Sequence, residues 1–372
     1  MSNTLRILSV EDEKEQCDIL KAVFREPILE KKIEFKSIDD FESAIVEITK
    51  NDYHIVILDI YKGKPDDNID EGEKILKAIQ NERFIPVIFY SGNTKNVESL
   101  RSQMVGVVTK GEGEGIENLK KEIERLVKSN LPFIRENIHN YLEKELKEYF
   151  WDIIHQKKGI FRADKEDFSL GYLMLRKFGH SLSKEKIAEI LGDDSLKQDK
   201  AHPMQFYIYP TTNQDFECGE IVRSKENDEF FVILTPSCDF IETSSRKRKA
   251  ERILLVEASL LNATDECKKY IKDKKEEKAS KSNENELRKL INSTKSDRYF
   301  FLPKTPFIVE DRLIDFQNKE MVSYEDLSNP EKYERIAKLD SPFAESMVAS
   351  FIRYYNRIGF PDIDTDYILS NL

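Results

Sequence analysis

Five short strand-like runs, each followed by a segment with helical spacing, occupy the first part of the chain and restrict its fold more than any other feature. The runs are Leu5–Val10, Lys32–Ser37, His54–Leu58, Ile85–Tyr90 and Val105–Thr109. The helical segments are Glu15–Phe24, Asp40–Thr49, Gly72–Ile79, Asn96–Ser102 and Ile116–Val127. The run HIVIL at 54–58 is continuously apolar, as a strand buried on both faces must be. Strands alternating with helices predict an α/β fold, a doubly wound five-stranded parallel sheet with helices on both faces. In such a sheet the functional crevice lies at the carboxyl ends of the strands.

The residues at those ends are chemically consistent with one another. Glu11 and Asp12 follow the first strand, Asp59 ends the third, Ser91 the fourth and Lys110 the fifth. The alternation therefore predicts three carboxylates, a hydroxyl and an ammonium in one crevice. Clustered carboxylates repel one another and attract a hard divalent cation such as Mg2+. An ionised Asp is a nucleophile toward phosphorus, and a cation with a lysine neutralises the phosphoryl oxygens during transfer. In their order along the chain, LSVEDE, VILDIY, VIFYSGN and VVTKG resemble the receiver domain of bacterial response regulators over residues 5–128. The resemblance implies a flavodoxin-like fold, Mg2+ as cofactor, and a histidine kinase or phosphotransfer protein as partner. It implies Glu11 and Asp12 as the acidic metal pair, Asp59 as phosphoacceptor and the Tyr61 carbonyl as a further metal ligand. Ser91 matches the switch hydroxyl and Lys110 the active-site lysine.

The chain also departs from that family. The loop at 61–71 is longer, and Val107 stands where the switch aromatic is usual. Gly111 replaces the usual proline, and the short stretch from Ser91 to Lys110 implies a trimmed fourth helix. These features lie on the face that reports phosphorylation. They bring the usual aromatic–hydroxyl relay into question and leave a phosphate-sink receiver as an alternative.

With 372 residues, the chain has room for two or three domains. We divide it into a receiver at 1–128, a helical linker region at 129–200 and a mainly β output domain at 201–372. Apolar and aromatic residues recur at helical spacing through Phe133–His155, predicting one long helix that packs on the protein or forms a homodimer. Ser169–Phe178 and Lys184–Leu191 are shorter helices. Beyond His202 the expected strands are Pro203–Tyr209, Gly219–Val222, Glu229–Leu234, Ile253–Glu257, Tyr299–Pro303, Phe307–Val309 and Arg312–Phe316. A Lys/Glu-rich insertion at 265–295 is helical or mobile, and Ser346–Ile358 is a closing helix.

The strand opening GEIV at 219–222 and the later strand ending LTP at 234–236 resemble the SH3-like barrel of PemK/MazF-type toxin ribonucleases. That resemblance would make Arg223 and Thr235 site residues. A second site would require Cys238, Asp239, Arg223 and His202 to converge, because a cysteine nucleophile needs a nearby base. The net charge of −11 and the absence of a recognisable recognition helix argue against sequence-specific DNA binding. No apolar run is long enough to span a membrane. Four scattered cysteines and an N-terminus without signal-peptide anatomy suit the cytoplasm. The expected function is that of a response regulator phosphorylated on Asp59, whose C-terminal module binds a partner or ligand. A phosphorylation-gated effector enzyme, for example a nuclease, is the alternative.

Overall fold

The computed structural model describes residues 3–60, 71–111, 113–157, 170–194, 200–211, 215–276, 280–356 and 362–372. The chain divides into two compact units, Met1–Gln198 and Asp199–Leu372.

The first unit begins with β1 (Thr4–Val10), α1 (Lys14–Val23), β2 (Lys32–Ile38), α2 (Phe41–Lys50), β3 (Ile55–Leu58) and α3 (Glu71–Glu82). It continues with β4 (Val87–Ser91), β5 (Val105–Thr109) and α4 (Gly115–Lys128). The five strands are parallel, in the order β2-β1-β3-β4-β5. This is the flavodoxin-like doubly wound order. Alternate residues of each strand feed opposite cores. Leu8, Val10, Val56, Leu58 and Phe89 pack with Ala44 and Ile48 of α2 and Leu76 and Ile79 of α3. Leu5, Ile7, Ile57, Ile88, Tyr90 and Val108 pack on the other face with Leu20 of α1 and Leu119, Ile123 and Leu126 of α4. All four residues of β3 are buried, which is why that run carries no polar alternation. Asp40 starts α2 by accepting the Ser43 N–H at 2.8 Å, one of the donors that a helix start leaves open.

The segment between β4 and β5 holds a single 3-10 turn, Glu98–Leu100, so the fourth receiver-type helix is indeed reduced. Asn130 ends α4 in a left-handed conformation, and the 3-10 turn Leu131–Phe133 leads into α5 (Ile134–Glu148). The helix expected over Phe133–His155 forms and runs without a break through Ile154. It starts late because Pro132 sets up the 3-10 turn, and it widens into a π-helical turn at Tyr149–Ile154. Phe150 and Trp151 meet edge-on there at 5.0 Å. The unit closes with α6 (Leu170–Ser181) and α7 (Lys184–Leu191).

The second unit contains β6 (Tyr207–Ile208), β7 (Glu220–Ser224), β8 (Phe230–Ile233) and β9 (Arg252–Leu260). Then follow α8 (Asp265–Lys275), α9 (Lys281–Ile291), β10 (Tyr299–Leu302), β11 (Arg312–Ser323) and α10 (Tyr324–Ser328). It ends with β12 (Tyr333–Leu339), α11 (Phe343–Tyr355) and α12 (Thr365–Ser370). Its strands form one seven-stranded antiparallel sheet, ordered β10-β11-β9-β8-β7-β12-β6. The sheet curls until its edges approach, and the Tyr207 hydroxyl of β6 donates to the Pro303 carbonyl just beyond β10 at 2.8 Å. Tyr207, Val232, Leu302, Phe316 and Leu339 share one core, into which α11 inserts Met347 and Tyr354.

Several elements differ from expectation. Pro203–Phe206 is a 3-10 turn rather than strand, because His202 caps it and leaves only two residues for β6. Phe307–Val309 is not a strand: Thr305 and Ile308 close a turn through two hydrogen bonds. The Lys/Glu-rich insertion supplies α8 and α9, which bury Cys267, Leu287 and Leu290.

Candidate functional site

Each acid of the first unit is placed by a strand end. The Glu11 N–H donates to the Ile38 carbonyl and the Asp59 N–H to the Val10 carbonyl, both extending the parallel ladder by one step. The Lys110 N–H donates to the Ser91 carbonyl at 2.8 Å, which brings the fifth-strand lysine beside the fourth-strand serine. Glu11, Asp59 and Ser91 are buried, while Asp12 is half-buried. One ligand atom from each of Glu11, Asp12 and Asp59 lies within 4.8 Å of the others.

Lys110 bridges the two buried acids. Its Nζ lies 2.6 Å from Glu11 Oε2 and 2.6 Å from Asp59 Oδ2. The second oxygens are held by backbone: the Ile60 N–H donates to Asp59 Oδ1 at 2.7 Å and the Glu13 N–H to Glu11 Oε1 at 3.3 Å. Burial pushes the Glu11 carboxyl up to about 7, against the pull of Lys110 and with a further push from Asp59. Burial alone would lower the Lys110 ammonium, but Asp59 and Glu11 outweigh it and raise it. Three carboxylates against one ammonium leave an excess of negative charge in a partly dehydrated pocket. An all-oxygen donor set in that state fits a hard divalent cation. The cation would sit against Glu11, Asp12 and Asp59 and offset their mutual repulsion. Tyr61, expected as a further ligand, lies outside the described residues.

Other residues of this pocket were not anticipated from sequence. The Cys17 thiol donates to the Glu11 carbonyl at 3.2 Å and accepts from the Ser37 hydroxyl at 3.1 Å, so buried Cys17 and half-buried Ser37 support the acidic turn. The Lys110 ammonium sits 5.7 Å from the centre of the Tyr90 ring. An aromatic directly before the strand-end serine was the only signal for it. Val107 faces the opposite core, packed with Phe89.

In the second unit, Cys238 and Asp239 adjoin in a 3-10 turn, their side chains 3.6 Å apart, and Cys238 is exposed. Arg223 on β7 pairs with Glu334 and Asp228. The His202 ring accepts the Met204 N–H at 3.2 Å as a cap. The Thr235 hydroxyl accepts the Leu254 N–H at 2.8 Å, tying β8 to β9. The structure thus gives Arg223, Thr235 and His202 separate local partners and joins only Cys238 to Asp239. An ion pair that the sequence reading missed joins buried Glu220 to half-buried Arg335, whose Nη2 lies 3.0 Å from Glu220 Oε2 and whose guanidinium stacks over Phe216.

No protein-family profile and no curated protein matches the chain. Solved structures similar to about a third of it include response regulators and a receiver domain. The response regulator protein TrrA from Thermotoga maritima in complex with Mg2+-BeF is 23% identical, covers 33% of this chain and 98% of its own, and has a TM-score of 0.27. The receiver domain of the Francisella response regulator 1452 is 25% identical, covers 33% and 97%, and has a TM-score of 0.27. A two-component response regulator from Clostridium difficile is 23% identical, covers 33% and 96%, and has a TM-score of 0.28.

Proposed function

We propose that the chain is a response regulator whose first unit accepts a phosphoryl group on Asp59 in the presence of Mg2+. The observation that carries this reading is the Lys110 ammonium set 2.6 Å from both Glu11 and Asp59, with Asp12 completing a cation-sized acidic set at the strand ends. In the proposed reaction an Asp59 carboxylate oxygen attacks phosphorus. The new O–P bond forms as the bond to the donor breaks, and the leaving group departs with its electron pair. That donor is a histidine kinase, a phosphotransfer protein or a small acyl phosphate. Lys110 leaves Glu11 to follow the incoming charge, and Ser91, at the end of β4, is placed to bond a phosphoryl oxygen.

The second unit is proposed to bind a partner or ligand rather than to catalyse a reaction. Supporting this, Arg223, His202 and Thr235 are each occupied in separate structural contacts. The net charge of −11 weighs against sequence-specific DNA as that partner. Cytoplasmic residence is proposed from the four cysteines, all free. Among the described residues no helix is long and apolar enough to cross a membrane.

Incubation with a radiolabelled phosphoryl donor and Mg2+ tests the reading. Wild-type protein is expected to incorporate label, Asp59→Asn none, and Asp12→Ala much less through weakened cation binding. Undiminished labelling of Asp59→Asn would overturn the assignment.

A further inference from the structure

We propose that Tyr90 is the positioning residue that carries the charge state of the acidic pocket to helix α4, a task for which position 107 offers only a valine. The inference rests on the phosphoryl-acceptor reading and deepens it. Three features of the first unit converge on this residue. First, the Tyr90 ring lies under the Lys110 ammonium, 5.7 Å from ring centre to Nζ, within the range in which a cation is held by an aromatic face. Lys110 is the group whose position must respond when the charge beside Asp59 changes. Second, the Tyr90 hydroxyl reaches the start of α4: a Cβ at Gly115, the helix's first residue, would sit 3.5 Å from it and 3.3 Å from the Thr109 carbonyl. The hydroxyl is thus at ordinary contact distance from where a side chain on that residue would begin. Third, Tyr90 is buried in the core shared with Leu119, Ile123 and Leu126 of α4 and with Phe133, the residue that leads into α5. The opposite face has lost its helix between β4 and β5, keeping only the turn Glu98–Leu100. A displacement of Lys110 therefore has a packed element to act on through Tyr90 and little to act on through Val107.

The consequence is a directional one. When Lys110 is drawn toward new negative charge on Asp59, it leaves the ring, and Tyr90 is free to repack against the first turn of α4. The change then passes along α4 toward Phe133 and α5. Hydrogen exchange on the full chain, with and without saturating Mg2+ and beryllofluoride as the probe, tests this. Saturation removes any difference in probe affinity between variants.

In the wild type, exchange across Gly115–Lys128 is expected to change by about threefold or more on adding the probe. Tyr90→Leu keeps an apolar residue there but no ring, and is expected to lose that response. Tyr90→Phe keeps the ring and should retain it. A Tyr90→Leu protein with the full α4 response overturns the proposal, as does loss of the response in Tyr90→Phe. Should Tyr90→Leu fail to fold, the wild type still decides by NMR. The ring should shift the Lys110 ε-methylene protons upfield, and the probe should abolish that shift. An unshifted Lys110, or one unmoved by the probe, rules out the ring as the contact that carries the signal. Wild-type protein that takes up no beryllofluoride, or an Asp59→Asn protein that responds as the wild type does, removes the phosphoryl-acceptor reading itself and the Tyr90 role with it. Failure confined to Tyr90→Leu or Lys110 leaves that reading standing.

Discussion

Lys110 holds the charge balance of the acidic pocket. Its side chain is 12% exposed, and those of its partners Glu11 and Asp59 are 2% and 9% exposed. Removing one member of a buried ion group leaves the others uncompensated, which is more damaging than never having had the group. Lys110→Met should therefore destabilise the first unit. Glu11 sits near 7 and can take a proton, which limits the loss to about 3 kcal/mol. Urea unfolding with and without Mg2+ is the measurement: the cation should restore more stability to Lys110→Met than to the wild type. The same reasoning applies at Glu220, buried to 1% in its side chain and paired with Arg335. Arg335→Met should cost the second unit roughly 3–4 kcal/mol, because Glu220 would be left buried without its counter-ion. Double substitution with Glu220→Gln should recover part of that loss.

At the level of elements, the joint between sheet and α5 is made by His54. Its Nδ1 accepts the Arg6 N–H at 2.9 Å, so the ring proton sits on Nε2, which donates to Glu136 of α5 at 3.2 Å. Phe133 packs on the ring at 4.8 Å, with the Lys31 ammonium over Phe133 at 4.3 Å. Protonating Nδ1 would break the Arg6 contact. The charged groups facing the ring are Arg6, Lys31 and Glu136, and burial, outweighing the opposite pull of Glu136, holds the imidazole below its usual value. A histidine depressed in the folded state contributes stability that is full above its unfolded value, near 6.5, and is lost as pH falls toward the folded value. Thermal melts should therefore show the wild type losing stability relative to His54→Gln as pH falls below about 6.5. Equal slopes in the two proteins would show that His54 is not the group responsible. Hydrogen exchange in α5 should rise first as the wild type is acidified.

The whole molecule consists of two units with separate cores, one built on a parallel sheet and one on a curled antiparallel sheet. Fragments 1–198 and 199–372 should each fold when expressed alone, with cooperative melts in both. A fragment that stays unfolded would show that its core needs the other unit. The helical arm also presents Ile138, Trp151 and Ile153 to solvent. We expect the proposed modification of Asp59 to alter self-association through residues 133–155, measured by sedimentation of the beryllofluoride-treated protein. Unchanged sedimentation together with unchanged exchange in α5 would favour the phosphate-sink alternative.

What the sequence determined alone was what local pattern can carry. Continuous apolar strands alternating with amphipathic helices specify a parallel sheet, and the polar residues that end those strands must then meet at one edge. Glu11, Asp59, Ser91 and Lys110 were legible for that reason. The tertiary structure decided whatever depends on partners distant in sequence. β12 reads as charged, because Arg335 and Lys338 are paired with Glu220 and Glu217, and a bulge between Arg335 and Ala337 breaks the two-residue period. The sheet position of YERIAKL becomes visible only once those acids are beside it. Tyr90 looks like one more core aromatic until Lys110 is laid over its ring. His54 looks like the first residue of an apolar run until Glu136, 82 positions later, accepts its N–H. In each case the side chain's polarity is satisfied by a group that local periodicity cannot reach, so its role exists only in the folded chain.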